Sequence, residues 1–91
     1  MTGDRILVVD DEAFSLNLTK NILEKNGYQV DVASNGEEAL HKAETEKPDL
    51  ILLDIVMPDT TGFEICKKLM KQQKNPFYPY NLVLRSKQRH R

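Results

Sequence analysis

The chain alternates short β-rich runs with helical patterns, and this alternation limits the fold more than any other feature. Residues 5–9, 28–34 and 49–54 have the composition of strands, and a helical pattern follows each of them. Strands that alternate with helices form a parallel sheet joined by right-handed crossovers. The first 73 residues therefore predict a βαβαβα arrangement of the α/β class.

The strand runs differ in how much they are expected to be buried. Residues 5–9, RILVV, show no polar alternation after Arg5, which is typical of a strand buried on both faces. In the second run Tyr28, Val30 and Val32 alternate with polar residues. That pattern predicts a half-exposed strand near the edge of the sheet.

The predicted helices carry apolar stripes, the pattern of helices that turn one side toward a core. Gly27 and Pro48 end the first two helices, and Ser34 or Asn35 can cap the second. The stripes comprise Phe14, Leu18, Ile22 and Leu23 in the first helix, Ala39, Leu40 and Ala43 in the second, and Phe63, Ile65, Cys66, Leu69 and Met70 in the third, over 62–71.

Length and composition restrict the setting. Ninety-one residues fit one small domain, and a single cysteine, Cys66, excludes an internal disulfide and favours a reducing compartment. No run approaches the roughly 18 apolar residues of a membrane span. The first residues, MTGDRILVVDDE, are too acidic for a signal peptide. We therefore expect a cytoplasmic protein with no membrane partner.

Residues 74–91 differ in character from residues 1–73. They hold two prolines, three aromatic residues and one short apolar run, Leu82–Leu84, so they predict one short strand at most. The last seven residues, RSKQRHR, carry four of the thirteen basic residues and no acid. A basic end can bind nucleic acid, but it also fits a short solvated tail. Nothing else in the chain supports binding, so we expect no nucleic-acid partner.

Acidic residues follow two of the predicted strands directly. Asp10 and Asp11 end the first, and Asp54 ends the third. One such aspartate is usually a turn former or helix cap. If the two strands are neighbours, however, three carboxylates meet at the edge where α/β sheets bind ligands, and their repulsion needs compensation. Mg²⁺ prefers a few carboxylates plus water and phosphate oxygens. The pattern thus predicts a magnesium site that faces a phosphate.

The segments VVDDE and LILLDIVMPDTTGFE, with the βα periodicity between them, resemble the receiver domain of two-component response regulators. The resemblance extends from residue 5 to about 73. It implies a flavodoxin-like fold, whose full strand order is 2-1-3-4-5. Here it implies a truncated form, a parallel sheet of order 2-1-3 that lacks the last two βα units. It also implies phosphoryl transfer from a histidine kinase to an aspartate.

Carried onto this sequence, the resemblance makes Asp54 the phosphoacceptor, a carboxylate nucleophile. Asp11 resembles the direct Mg²⁺ ligand, Asp10 its partner through water, and Val56 the residue that supplies a backbone carbonyl. Asp54 completes this metal site. Such a domain is not an enzyme in the usual sense, since it catalyses at most its own phosphorylation and dephosphorylation.

The resemblance also implies a hydroxyl residue at the end of strand four and a lysine at the end of strand five. No lysine has a strand-ending context here, and Ser86 is the candidate for the hydroxyl. Back-translating residues 77–86 and shifting the reading forward by one base permits a peptide such as IPIILFSA, which resembles strand four. One hypothesis is therefore that a frameshift produced the tail. We expect impaired switching.

Loss of the last units would expose one edge of the third strand unless the tail covers it, and exposed edges recruit other strands. The first helix would lose a neighbour as well. We therefore expect a homodimer, with exchanged strands or segments or with Leu82–Leu84 paired at that edge.

Two other functions are consistent with the residues. The chain can be a receiver remnant that dimerises or binds a kinase without signalling. An unrelated α/β enzyme is the other, but the loop after the first strand lacks a glycine-rich phosphate cradle and an Asp-x-Asp motif. His41 and His90 have no metal-site spacing, and His41 reads as a surface residue.

Overall fold

A computed structural model describes residues 4–53, 64 and 67–71 with their side chains. Of residue 54 and residues 81–85 it describes the backbone alone. Residues 64 and 67–71 are helical, and we call them the third helical segment. The other elements are β1 (Arg5–Val9), α1 (Ala13–Lys25), β2 (Gln29–Ala33), α2 (Gly36–Thr45), β3 (Leu50–Asp54) and β4 (Asn81–Arg85).

The strands form one sheet in the order β2-β1-β3-β4, and every neighbouring pair is parallel. The predicted α/β class and the order 2-1-3 are confirmed. β4 extends this order beyond β3 and contains the apolar run Leu82–Leu84. It covers the edge of β3 that the sequence left open, so the sheet has four strands rather than three within the described residues.

Burial of the strands follows the sequence patterns. Ile6 to Val9 of β1 are buried, as are Ile51 and Leu53 of β3. In β2 only Ala33 is fully buried, which agrees with a half-exposed strand at the sheet edge. The interior position of β1 and β3 explains why their runs lack polar alternation.

Apolar residues pack on both faces of the sheet. On one face the side chains of β1 and β3 meet those of α2 and the third helical segment, and on the other β1 meets α1. The first cluster comprises Leu7, Val9, Ala33, Ala39, Ala43, Ile51, Leu53 and Leu69, and the second comprises Ile6, Val8 and Leu16. Helices on both sides make the sheet doubly wound.

The predicted stripe of α1 is not its packing face, which corrects the sequence analysis. Phe14, Leu18 and Ile22 are 75%, 49% and 52% exposed. The helix packs instead through Leu16, which is buried, and Leu23, which is partly buried. Phe14 precedes Leu16 by two residues, about 200° around the helix, so the two side chains lie on opposite sides. Only Leu23 of the predicted stripe contacts the core.

The other helices agree better with their patterns. Ala39 and Ala43 of α2 are buried, and Leu40 packs against them. In the third helical segment Leu69 is buried, whereas Met70 is exposed. Phe63, Ile65 and Cys66 lie outside the described residues. No helix in the described part of the chain is long and apolar enough to cross a membrane.

Gly27 ends α1 as predicted, at a φ of 93° that a side chain would disfavour. Its N–H bonds to the Glu24 carbonyl at 3.1 Å, and the Tyr28 N–H bonds to the Leu23 carbonyl at 3.2 Å. This pair of bonds is a Schellman motif, which satisfies the last helical carbonyls. The chain can then turn directly into β2.

Candidate functional site

The carboxyl ends of β1 and β3 lie side by side. Val9 pairs with Leu53 of β3, so the next residues along each strand, Asp10 and Asp54, follow neighbouring positions. The premise on which the sequence prediction depended, that these strands are adjacent, is therefore met. Two acidic residues come together at the edge of the sheet where parallel α/β folds place their ligands.

Asp10 is a fully buried carboxylate. Its backbone N–H donates to the Ala33 carbonyl at 3.0 Å, which continues the ladder between β1 and β2. Its Oδ1 accepts a hydrogen bond from the backbone N–H of Glu12 at 3.0 Å. Burial of a carboxylate is costly unless hydrogen bonds or a cation compensate it. Asp10 is thus held in one position, immediately before α1.

Asp11 and Glu12 are both exposed, in contrast to Asp10. Glu12 is the N-cap residue of α1, and its extended backbone turns the chain from the strand into the helix. The hydroxyl of Ser15 donates to the Glu12 carboxylate at 2.9 Å. The loop after β1 therefore presents one buried and two exposed acids at the carboxyl end of the sheet.

The donor set agrees in kind with magnesium. Asp10 and Asp11 supply carboxylate oxygens, the hard ligands that Mg²⁺ prefers. Among the side chains that the structure describes, no group of three or more His, Cys, Asp and Glu residues is arranged to hold a metal ion. The side chain of Asp54 and the whole of Val56, the other predicted ligands, lie outside the described residues. The described part of the site is an acidic pair, of which one member is fixed by burial.

Arg85 is a residue of this edge that the sequence analysis missed. The register of β3 and β4 pairs it with Asp54. The signal was present in the sequence, because Arg85 ends the apolar run Leu82–Leu84 just as Asp54 ends its own strand. The family resemblance pointed to a lysine at a strand end and not to an arginine. Ser86, the predicted hydroxyl residue, lies outside the described residues.

The two histidines are the remaining candidates, and the structure describes one of them. His41 lies in α2 and is exposed, as predicted for a surface residue. His90 lies outside the part of the chain that the structure describes.

The family model of the response regulator receiver domain matches residues 6–84 of the chain. The match therefore continues past residue 73 and includes most of β4. The alkaline phosphatase synthesis transcriptional regulatory protein PhoP of Bacillus subtilis is 56% identical over 69 residues, which cover 76% of this chain and 29% of PhoP. The chemotaxis protein CheY of Thermotoga maritima is 43% identical over 80% of this chain and 62% of CheY. The chain thus spans less than two thirds of either relative.

A solved structure gives the same likeness. The complex of histidine kinase ThkA with response regulator TrrA matches with a TM-score of 0.79 and 40% identity, over 96% of this chain and 72% of the matched chain. TrrA of Thermotoga maritima in complex with Mg²⁺-BeF matches with a TM-score of 0.71 and 34% identity, over 91% of this chain and 87% of TrrA.

Proposed function

The chain belongs to the response regulator receiver domain family, and from this premise we propose that it accepts a phosphoryl group from a histidine kinase onto Asp54. The observation that carries the proposal is the adjacency of Asp10 and Asp54 at the carboxyl ends of neighbouring strands. Like the rest of its family, the chain is a signalling domain of two-component systems rather than an enzyme in the usual sense. At most it catalyses its own phosphorylation and dephosphorylation.

In this reaction the protein supplies the nucleophile and little other covalent chemistry. The Asp54 carboxylate attacks the phosphorus of the donor, and the bond from phosphorus to the donor atom breaks as the acyl phosphate forms. Most of the acceleration in phosphoryl transfer comes from positioning and from neutralising charge. Asp10, which burial and the Glu12 N–H hold in place, is suited to such positioning.

Magnesium is the proposed cofactor, and Asp10, Asp11, Asp54 and the Val56 carbonyl are its proposed ligands. When bound, the ion would neutralise charge on the carboxylates and on the phosphoryl oxygens. The complex of the similar protein TrrA with Mg²⁺-BeF supports magnesium as the cofactor.

We propose a histidine kinase as the partner and the cytoplasm as the location. The similar complex of ThkA with TrrA supports a kinase partner. We also propose that the switch is impaired, because Arg85 occupies the end of β4 in register with Asp54. A hydroxyl residue is expected at the end of that strand, and an arginine cannot replace its small oxygen donor and acceptor.

Incubation with acetyl phosphate and Mg²⁺, followed by intact mass measurement, tests the proposal. We expect one phosphate on the wild-type chain and none on Asp54→Asn, because the amide cannot form an acyl phosphate. Asp31→Asn is the matched control, since Asp31 lies in the middle of β2 and pairs with Leu7. It should be phosphorylated like the wild type. Phosphate that persists in Asp54→Asn would refute the assignment.

A second candidate function is an interaction module that binds a kinase or a second copy without signalling. The exposed residues Phe14, Leu18 and Ile22 of α1 favour it, because they form an apolar stripe on the surface of the helix. Capture of a kinase by the chain, with no phosphate transferred to Asp54, would distinguish this function from the first.

A further inference from the structure

Asp54 lies between a strand that ends in an acid and a strand that ends in a base. On one side β1 leads into Asp10, and on the other β4 ends at Arg85. Neighbouring strands are about 4.8 Å apart, and residues in register share a face of the sheet. The backbone register therefore places Arg85, a residue that is always protonated, beside Asp54 at this edge of the sheet.

The acidic residues at this edge give the positive charge of Arg85 something to offset, namely their own negative charge. Asp10, Asp11 and Asp54 carry three negative charges, which one divalent ion does not neutralise. A phosphoryl group on Asp54 would add further negative charge. Arg is always protonated, and its planar fork of N–H donors matches the oxygens of carboxylates and phosphates. The position of Arg85 is thus where the site has an excess of negative charge.

We propose that Arg85 is the anion-binding residue of this site. Its positive charge offsets the negative charge of the acidic residues at this edge before transfer and favours the anionic phosphoryl group during and after it. This inference rests on the proposed phosphoacceptor function and adds to it a residue that the sequence pattern did not indicate. Arg85 forms no covalent bond in this role, since it supplies positive charge and N–H donors only.

The first test is the affinity of the full chain for Mg²⁺, measured by titration calorimetry without phosphate. The positive charge of Arg85 disfavours a second cation at this edge, so Arg85→Gln should bind Mg²⁺ roughly three- to tenfold more tightly than wild type, as expected for Coulomb repulsion between nearby charges. Arg89→Gln removes the same charge four residues along the chain and should leave the affinity unchanged. Equal affinities of the two variants would overturn the inference.

The second test is the initial rate of phosphorylation by acetyl phosphate at saturating Mg²⁺. We expect the rate of Arg85→Gln to be lower than that of Arg89→Gln by a factor of about ten or more, because Arg85→Gln lacks a positive charge near the transferred group. Arg85→Lys keeps the charge and should recover much of the rate. An unchanged rate in Arg85→Gln would refute the role of Arg85 in phosphate binding. A lysine variant as slow as the glutamine variant would also overturn it, because the loss would then come from a change in β4 and not from the missing charge.

The two proposals fail in different ways. If the wild-type chain takes up no phosphate, the proposed function falls and the Mg²⁺ affinities alone decide the role of Arg85. If wild type is phosphorylated at Asp54 and both Arg85→Gln and Arg89→Gln match it in rate and affinity, the function stands and the role of Arg85 is refuted.

Discussion

Lys47 adopts a backbone conformation that its side chain disfavours. It is the one non-glycine residue with a positive φ, 50°, in the described part of the chain, and it lies between α2 and the buried Pro48. A left-handed conformation costs an L-residue roughly 1–2 kcal/mol, whereas glycine adopts it freely. The sequence indicated that the helix ends here, since Pro48 follows, but not that the chain would turn through the left-handed region.

We therefore expect Lys47→Gly to stabilise the protein. The relief of strain is partly offset by the greater freedom of glycine in the unfolded chain, so the net gain in free energy of unfolding should be about 0.5–1 kcal/mol. Urea denaturation measures it. Lys47→Ala removes the charge but keeps the Cβ atom, so it should give no such gain. Equal gains from both variants would assign the effect to charge instead.

The residues of the site differ in whether their strand pairing could be predicted from the sequence. Asp10 and Asp54 could be predicted because both end apolar runs at the same end of parallel strands. Arg85 likewise ends an apolar run, but its register with Asp54 could not be deduced, because the pairing of β3 with β4 depends on a tail of unusual composition. A one-residue slip of that strand would pair a different residue with the carboxylate.

Among the helices, too, one feature could be predicted from the sequence and another could not. The start of α2 was predictable, since Asn35 accepts a hydrogen bond from the Glu38 N–H at 2.8 Å as a cap should. The packing face of α1 was not, because two sets of apolar residues lie on opposite sides of that helix. The contact with β1 and β2 selects the side of Leu16, and the sequence records only that both sides are apolar.

Glu38 makes the stability of the α2 cap depend on pH. The Ser34 backbone N–H, which donates to its carboxylate at 2.9 Å, is the main cause that lowers the pKa of Glu38 below its ordinary 4.5, and the Lys42 ammonium adds to the effect. A lowered pKa in the folded state stabilises the fold above 4.5 and stops doing so as the pH falls through the lowered value. The carboxylate should therefore contribute fully at neutral pH.

Wild type should accordingly exceed Glu38→Gln in free energy of unfolding at neutral pH, and this difference should shrink in acid. Because 41% of the side chain is exposed, solvent screens the interaction and the difference should stay below about 1 kcal/mol. Ser34→Ala keeps the backbone N–H, so it should retain most of the pH dependence. The measurement is urea denaturation of wild type, Glu38→Gln and Ser34→Ala from neutral pH down into the acid range. A difference between wild type and Glu38→Gln that stays constant with pH would contradict the role of the Glu38 carboxylate.

For the whole molecule, the arrangement of β1, β2 and β3 was predicted, whereas that of β4 was not. The alternation of strands and helices predicted a parallel sheet, and the order 2-1-3 was what the family resemblance implied. The coverage of the β3 edge could not be deduced, because residues 74–91 lack the pattern of a βα unit. β4 pairs there through its backbone, and that pairing removes the open edge on which the expectation of a dimer partly depended.

The exposed α1 stripe of Phe14, Leu18 and Ile22 remains a reason to expect self-association. Three large apolar side chains in a row on one helix are typical of an interaction surface. A second copy can cover them by packing its own α1 against this one, since a twofold contact uses the same patch on both chains. We therefore still expect a homodimer, but one formed through α1 rather than through the edge of the sheet.

Light scattering at micromolar concentration distinguishes the arrangements. Wild type should have the mass of a dimer, and Leu18→Lys should have that of a monomer, because it places a charge in the middle of the stripe. Asn17→Lys adds the same charge at an exposed neighbour outside the stripe and should leave the dimer intact. A wild-type monomer would contradict the dimer, whereas a dimer that persists in Leu18→Lys would move the contact from α1 to β4, as strand exchange or edge pairing requires.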